Sequence, residues 1–279
     1  MSRKDVSILK LICLPLAFFL AFFMIPLGIV LASSFLSAGT HEPTFSNYAR
    51  ILLDAYHWHV IWTTFRIAFF TTAICVLLGY PVAWYLVRVV CSSFWRRFFV
   101  IVLIIPLFTS NIVRSFGWMI LLGRIGLVNN ALQSLGLARH PVRFIGSELG
   151  ILIGMVYILL PFVVLTVGAS LAGIDRSLER AARDLGASPL ETFRHITLSL
   201  SLPGLAAGAI MVFSLAVSAY VTPALLSGGR VTVLSMLIYQ QYGSVLNFNY
   251  GGALSVVLLA LTLMLVGIAS HVGRSREGG

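Results

Sequence analysis

The 279-residue sequence is short of charge, with 10% of its residues charged, nine of them acidic, and its lysines confined to Lys4 and Lys10 near the N-terminus. A phosphate-cradling loop needs a lysine directly after its glycines, so the chain holds no ATP-hydrolysing loop of that kind. HExxH and GxSxG motifs and paired carboxylates within apolar runs are missing as well, which leaves an intramembrane enzyme as a poor rival. Cys13, Cys75 and Cys91 have no paired spacing, so neither a disulfide nor a metal site is expected of them. Ile12 before Cys13 is too large for a lipoprotein cleavage signal. His57 and His59 in "HWH" lack further ligands for a metal, and no nucleic-acid motif is present.

What the chain has is apolar surface. Hydrophobic residues make up 59% and mean hydropathy is +0.98, values outside the range of soluble domains. Runs of roughly 20 apolar residues cross a bilayer. Six such spans are expected, at about 11–35, 60–87, 98–122, 149–174, 197–226 and 250–272, in a single all-α transmembrane domain covering 1–279. The first follows Arg3, Lys4 and Lys10, is too long for a signal-peptide core, lacks a small-x-small cleavage site, and is read as a retained anchor. Trp58, Trp62, Trp84, Tyr85, Trp95 and Trp118 border the second and third, as interfacial aromatics do.

Cytoplasmic loops retain an excess of Lys and Arg. With the N-terminus inside, the inner segments hold Arg3, Lys4, Lys10, Arg88, Arg96, Arg97, Arg176, Arg180, Arg183, Arg194, Arg274 and Arg276, against Arg50, Arg124, Arg139, Arg143 and Arg230 outside. Both termini are then cytoplasmic. The net charge of +10 reflects this topology and attraction to anionic membrane lipid, and is no argument for nucleic acid.

Pro15, Pro26, Pro81, Pro106, Pro161, Pro203 and Pro223 fall within apolar runs, where each removes a backbone hydrogen bond and favours a kink. Such breaks suit a protein with a path through it, and a plain anchor tolerates them. Arg66 and Arg114 are the charges inside the expected spans, and neither is joined there by a carboxylate. That lack counts against an ion-coupled carrier. Arg66, two turns from the outer end of its span, reads as a snorkelling side chain. Arg114 has polar company at Thr109, Ser110, Asn111 and Ser115, and fits a path-lining and a structural hydrogen-bonding role equally well.

The charged stretch "LERAARDLGASPLETFRHITLSLSLP" lies between two apolar runs. Leu178, Ala181, Ala182 and Leu185 share one helical face, with Glu179, Arg180, Arg183 and Asp184 on the other. Gly186 ends that helix. Ser188 as N-cap, Pro189 at the first helical position and Glu191 as capping-box partner then start another, with Leu190, Phe193 and Ile196 on one side. An interfacial amphipathic linker is the plain alternative, but a bend set by glycine and then proline presents a rigid shape. His195 belongs to the same surface or to a helix C-terminus.

The run "AARDLGASPLETFRHITLSLSLPG" resembles the cytoplasmic loop of the membrane subunits of bacterial ATP-binding cassette importers, the type I permeases. Their pattern is Glu-Ala-Ala, three residues, Gly, nine residues, Ile, any residue, Leu, Pro. Ala181, Ala182, Gly186, Ile196 and Leu198 match; Arg180 stands where Glu is usual and Ser199 where Pro is usual. "GYPVAWYLVR", "LIIPLFTSNIVRSFGWMILLGRIGLVNNAL", "VYILLPFVVLTVGASL" and "SAYVTPALLSGG" carry the likeness along nearly the whole chain, closest to the spermidine and putrescine permease group.

The resemblance implies a coupling loop at 175–196 that docks on a cytoplasmic ATPase dimer through Glu179, Arg180, Ala181, Ala182, Asp184, Gly186, Ala187, Ser188, Pro189, Phe193 and Arg194. ATP and magnesium would sit on that partner, with no cofactor or metal on this chain. A second permease, a paralogue in the family comparison, and an external binding protein complete the expected assembly in the bacterial inner membrane. The expected pathway residues are Thr109, Asn111, Arg114, Tyr220, Thr222 and Pro223, polar or kinked positions in apolar spans. The resemblance points to polyamine import by alternating access. Five outer-loop arginines against Glu42, Asp54 and Glu148 leave room for an opine, an amino-acid derivative, a phosphonate or ferric iron. A channel or secondary carrier would need no ATPase, and the bent helix pair is the feature that separates the two classes.

Overall fold

A computed structural model describes Cys13, residues 15–37 and residues 42–274, the side chains of 272–274 excepted. The basic start at Arg3, Lys4 and Lys10, the head of the first span at Leu11, Arg276 and the Arg274 side chain lie outside the described residues.

The described chain is helical throughout its long elements, as its apolar composition requires: without water, backbone groups must be paired within the segment. Helices long and apolar enough to cross a membrane are α1 (Pro15–Ser34), α3 (Ala55–Val89), α7 (Glu148–Gly173), α9 (Pro189–Ser218) and α12, apolar over Phe248–His271. Between them lie α2 (Ser46–Leu53), α4 (Ser93–Phe108), α5 (Asn111–Leu121), α6 (Leu127–Ser134), α8 (Arg176–Asp184), α10 (Val221–Leu226) and α11 (Leu234–Gln240).

Two of the six expected spans are interrupted. The run at 98–122 is α4 and α5, which meet at 100° across a two-residue break. Pro106 has no N–H to continue the ladder, α4 tightens into a 3-10 turn over Ile105–Phe108, and Thr109 and Ser110 take extended backbone angles before α5 begins. The run at 197–226 ends as α9 at Ser218, turns through Ala219, and resumes as α10. By contrast Pro81 and Pro161 sit inside continuous helices.

Packing divides the chain into two units, residues 1–59 with 237–261 and residues 60–236 with 262–279. In the first, α2 is tied to the end of α1: the Ser34 and Tyr48 hydroxyls are 2.7 Å apart, and Asn47 Nδ2 donates to the Ser34 and Leu36 carbonyls at 3.0 Å. His57 Nε2 lies 2.6 Å from the Tyr250 hydroxyl and its Nδ1 3.1 Å from Asp54, with the Arg50 guanidinium over the Tyr250 ring. His57 of the "HWH" stretch is thus engaged in side-chain packing while His59 is exposed, and the described residues contain no cluster of three potential metal ligands.

In the second unit, α7 and α9 form the main helix pair. Their close approach needs small residues, since a Cβ at Gly204 or Gly208 would collide with Ser170 or Thr166 of α7. Buried Ile151, Met155, Val163, Val164 and Val167 of α7 supply the apolar face. Arg66 forms an ion pair with Glu148 at the start of α7. Snorkelling explains its position less well than this carboxylate partner does.

Candidate translocation cavity and coupling elbow

The break between α4 and α5 opens a cavity of about 520 Å³ bounded by α5, α7, the end of α9 and α10. Of the six expected pathway residues, Thr109, Asn111, Arg114, Tyr220 and Thr222 line it, while Pro223 is buried inside α10. Met155, Ile158, Leu159 and Phe162 form the apolar wall from α7. Arg114 donates through Nη2 to Asn111 Oδ1 one turn earlier, whereas its Nε and Nη1 are buried without a hydrogen-bond partner. Among the described residues no carboxylate lines the cavity. Ser115 and Thr222 hydroxyls, both buried and 3.0 Å apart, fasten α5 to α10 behind it. The two interruptions of the spans are therefore joined to each other, and the polar residues of both face one space.

The elbow between α8 and α9 is built from local signals. Asp175 caps α8 by accepting from Ser177 N at 2.8 Å, and those hydrogen bonds hold its carboxyl below the usual carboxylate range. At the other end Gly186 N donates to Arg183 O and Ala187 N to Ala182 O, with Gly186 at φ +92°, a conformation that glycine adopts without a Cβ penalty. Ser188 and Glu191 form the reciprocal capping box, Ser188 N donating to Glu191 Oε2 at 2.8 Å and Glu191 N to Ser188 Oγ at 3.3 Å. From Pro189 the chain runs through a π-helical turn at Phe193–Leu198 into the membrane part of α9.

Tertiary contacts then sort the expected docking residues into two sets. Glu179 turns inward, where its Oε1 lies 3.1 Å from Arg88 Nε at the end of α3 and accepts from Thr197 Oγ1 at 2.9 Å. Arg88 Nη2 donates to Ile174 O, and Arg176 Nη2 to Val87 O. Phe193 also faces inward, its ring edge-on to Tyr80 and Trp84 at 6.0 and 6.1 Å. Ala182 and Ala187 are half-buried, and Arg180, Ala181, Asp184, Gly186, Ser188, Pro189 and Arg194 are exposed. Arg88 was not among the expected site residues, and its loop position among other inner arginines carried no sign of this partner. The elbow is thus tied to the end of α3 and to α9 through Glu179, Arg88, Thr197 and Arg176.

Residues 75–272 match the family described as the binding-protein-dependent transport system inner membrane component. The chain belongs to this family. As a member it is an inner-membrane, non-catalytic permease subunit of an ABC transporter, a system that takes its ATPase from a separate protein and works with a binding protein. The permease is 34% identical to the spermidine/putrescine transport system permease protein PotB of Escherichia coli (strain K12), over 80% of each chain. It is 30% identical to the protein of the same name from Haemophilus influenzae, over 88% of this chain and 86% of that one. A putative 2-aminoethylphosphonate transport system permease protein, PhnU of Salmonella paratyphi A, is 27% identical over 90% of this chain and 86% of that one. Among solved structures, a bacterial ABC transporter involved in the import of the acidic polysaccharide alginate superposes with a TM-score of 0.83 at 19% identity, covering 98% of this chain and 96% of that chain. The permease shares that fold.

Proposed function

We propose that this permease forms one half of the membrane channel of an ATP-driven polyamine importer, carrying spermidine, putrescine or a similar amine inward by alternating access. The observation that carries the reading is the clamped elbow. A rigid, doubly capped helix pair bound through Glu179 to Arg88 and Thr197 converts a push on the elbow into movement of α3 and α9. The end of α9 borders the cavity, so the push reaches the solute path.

Both termini and the elbow face the cytoplasm in this reading, where an ATPase dimer binds ATP and magnesium and engages the elbow. A second permease, a paralogue of this chain, completes the path, and an external binding protein delivers the solute to the opposite side. The named PotB relatives support a polyamine as that solute.

Arg114 favours a second reading of the substrate. Its unpartnered Nε and Nη1, in a cavity whose described lining has no acid, suit a solute with an anionic group, such as an opine, an amino-acid derivative or a phosphonate.

The test is solute-stimulated ATP hydrolysis by the complete complex in reconstituted membranes, comparing wild type with Gly186→Asp. Polyamine stimulation that vanishes in the assembled variant is the expected result. Unchanged coupling in the variant would overturn the role of the elbow, and stimulation by an anionic solute alone would overturn the polyamine reading.

A further inference from the structure

Away from the solute cavity, a polar pocket of about 230 Å³ lies between the end of α3, α8 and the first turns of α9, and Arg88, Arg176, Glu179, Arg183, Thr192 and Thr197 line it. Three guanidinium groups stand there against one carboxylate. Glu179 is engaged by Arg88 and Thr197 at 3.1 and 2.9 Å, so the charges of Arg176 and Arg183 are left in excess. Arg176 gives one N–H to Val87 O, and among the described residues Arg183 forms no ion pair and no side-chain hydrogen bond. Thr192, 2% exposed, adds a buried hydroxyl that has no partner. Such a hydroxyl is costly, and an oxyanion in this pocket gives it and both arginines an acceptor.

Trp84 of α3 lines this pocket and also an apolar groove of about 710 Å³ formed by α3, α4 and α7. Tyr85, Phe99 and Val102 of the groove are 52%, 41% and 49% exposed, on helices apolar enough to cross a membrane. From Phe99 to Pro106 the wall supplied by α4 runs about 10 Å, roughly a third of the hydrocarbon thickness. Trp84 and Tyr85 are residues of the kind that settle at the level of lipid headgroups, and basic pockets between membrane helices take anionic headgroups.

We propose that pocket and groove together bind one anionic phospholipid of the leaflet beside the elbow, its phosphate diester held by Arg176, Arg183 and the Thr192 hydroxyl and an acyl chain lying along the groove. Both arginines belong to α8, while α3, α4 and α7 form the groove, so the lipid bridges the elbow to the membrane helices. A free phosphate shares the charge of the headgroup but has no use for the groove. A second permease seated in the groove has no use for the arginines.

The test is tryptophan fluorescence of the complete complex in phosphatidylcholine membranes, titrated with phosphatidylglycerol or phosphatidylcholine carrying brominated acyl chains. Bromine quenches indoles close to it, and subtracting the signal of Trp84→Phe isolates Trp84. Brominated phosphatidylglycerol is expected to quench Trp84 at about fivefold lower mole fraction than brominated phosphatidylcholine. Arg183→Gln should remove that preference and Thr192→Val weaken it, with assembly of the complex intact, whereas Arg194→Gln, at an exposed arginine outside the pocket, should leave it in place. Val102→Phe, which narrows the groove, should weaken quenching by both lipids. Equal quenching by the two lipids in the wild type, or equal effects of Arg183→Gln and Arg194→Gln, would mean diffuse attraction to the membrane surface and overturn the proposal. If inorganic phosphate abolishes the preference and Val102→Phe changes nothing, the pocket takes a soluble anion and the lipid is wrong. If neither lipid quenches Trp84 in the assembled complex, another subunit covers the groove and the proposal fails.

Discussion

Arg88 Nε lies 3.1 Å from Glu179 Oε1, and the two side chains are 7% and 17% exposed. An ion pair this buried contributes little over a matched apolar pair, yet losing one partner strands the other charge. Glu179→Leu is therefore expected to destabilise the subunit by about 3 kcal/mol, with Arg88→Met/Glu179→Leu recovering most of the loss. Thermal unfolding in detergent measures the stability. The double variant should still be poorly coupled, because Thr197 and α3 no longer share a charged anchor.

Local caps set the elbow angle. Ser188→Ala removes an N-cap and is expected to cost about 1 kcal/mol, and Gly186→Ala, at φ +92°, about 1–2 kcal/mol. Amide exchange over residues 186–192 should quicken in both variants, and unchanged protection would show that tertiary contacts hold the bend unaided.

Acid should loosen α8 through Asp175. Its carboxyl is held below the ordinary range by hydrogen bonds from Ser177, so the native state favours the ionised form. The resulting stabilisation is present above the unfolded-state value, about 4, and disappears as pH falls through the folded one. Amide protection in the first turn of α8 should hold steady above about pH 5 and decline below about pH 4, a decline that Asp175→Ala removes.

The hydroxyl pair behind the cavity gives a packing test. Thr222→Val leaves the buried Ser115 hydroxyl without its partner at 3.0 Å and is expected to cost about 1 kcal/mol, with Ser115→Ala/Thr222→Val close to neutral relative to it. A double-mutant cycle on thermal stability measures the coupling.

Arg114 separates the two substrate readings. For a polyamine, Arg114→Gln removes a like charge from the cavity, and polyamine-stimulated hydrolysis is expected at or above the wild-type level. For a solute with an anionic group, the same substitution removes the cation that pairs with it, and stimulation by that solute is expected to be lost with assembly intact.

Charge scarcity, the long apolar runs and the elbow were legible because each is written within a few consecutive residues. Leu178 to Leu185 mark a helical face, and Gly186, Ser188, Pro189 and Glu191 act on backbone groups at most three or four positions away. The breaks were harder to see. Pro106 signals a kink, but apolar composition continues through Leu107 and Phe108, so hydropathy joins α4 and α5 into one run although they meet at 100°.

By itself, then, the sequence determined that this is a helical inner-membrane chain with a bent pair of short helices between its later spans, because helix caps and hydropathy depend on near neighbours. Tertiary structure alone decided that Glu179 faces Arg88, that Arg66 finds Glu148 82 positions away, and that Thr109, Arg114 and Tyr220 share one cavity. Burial makes a charge seek whichever counter-charge the folded chain brings near, and that neighbour is chosen by the packing of whole helices rather than by residues adjacent in sequence.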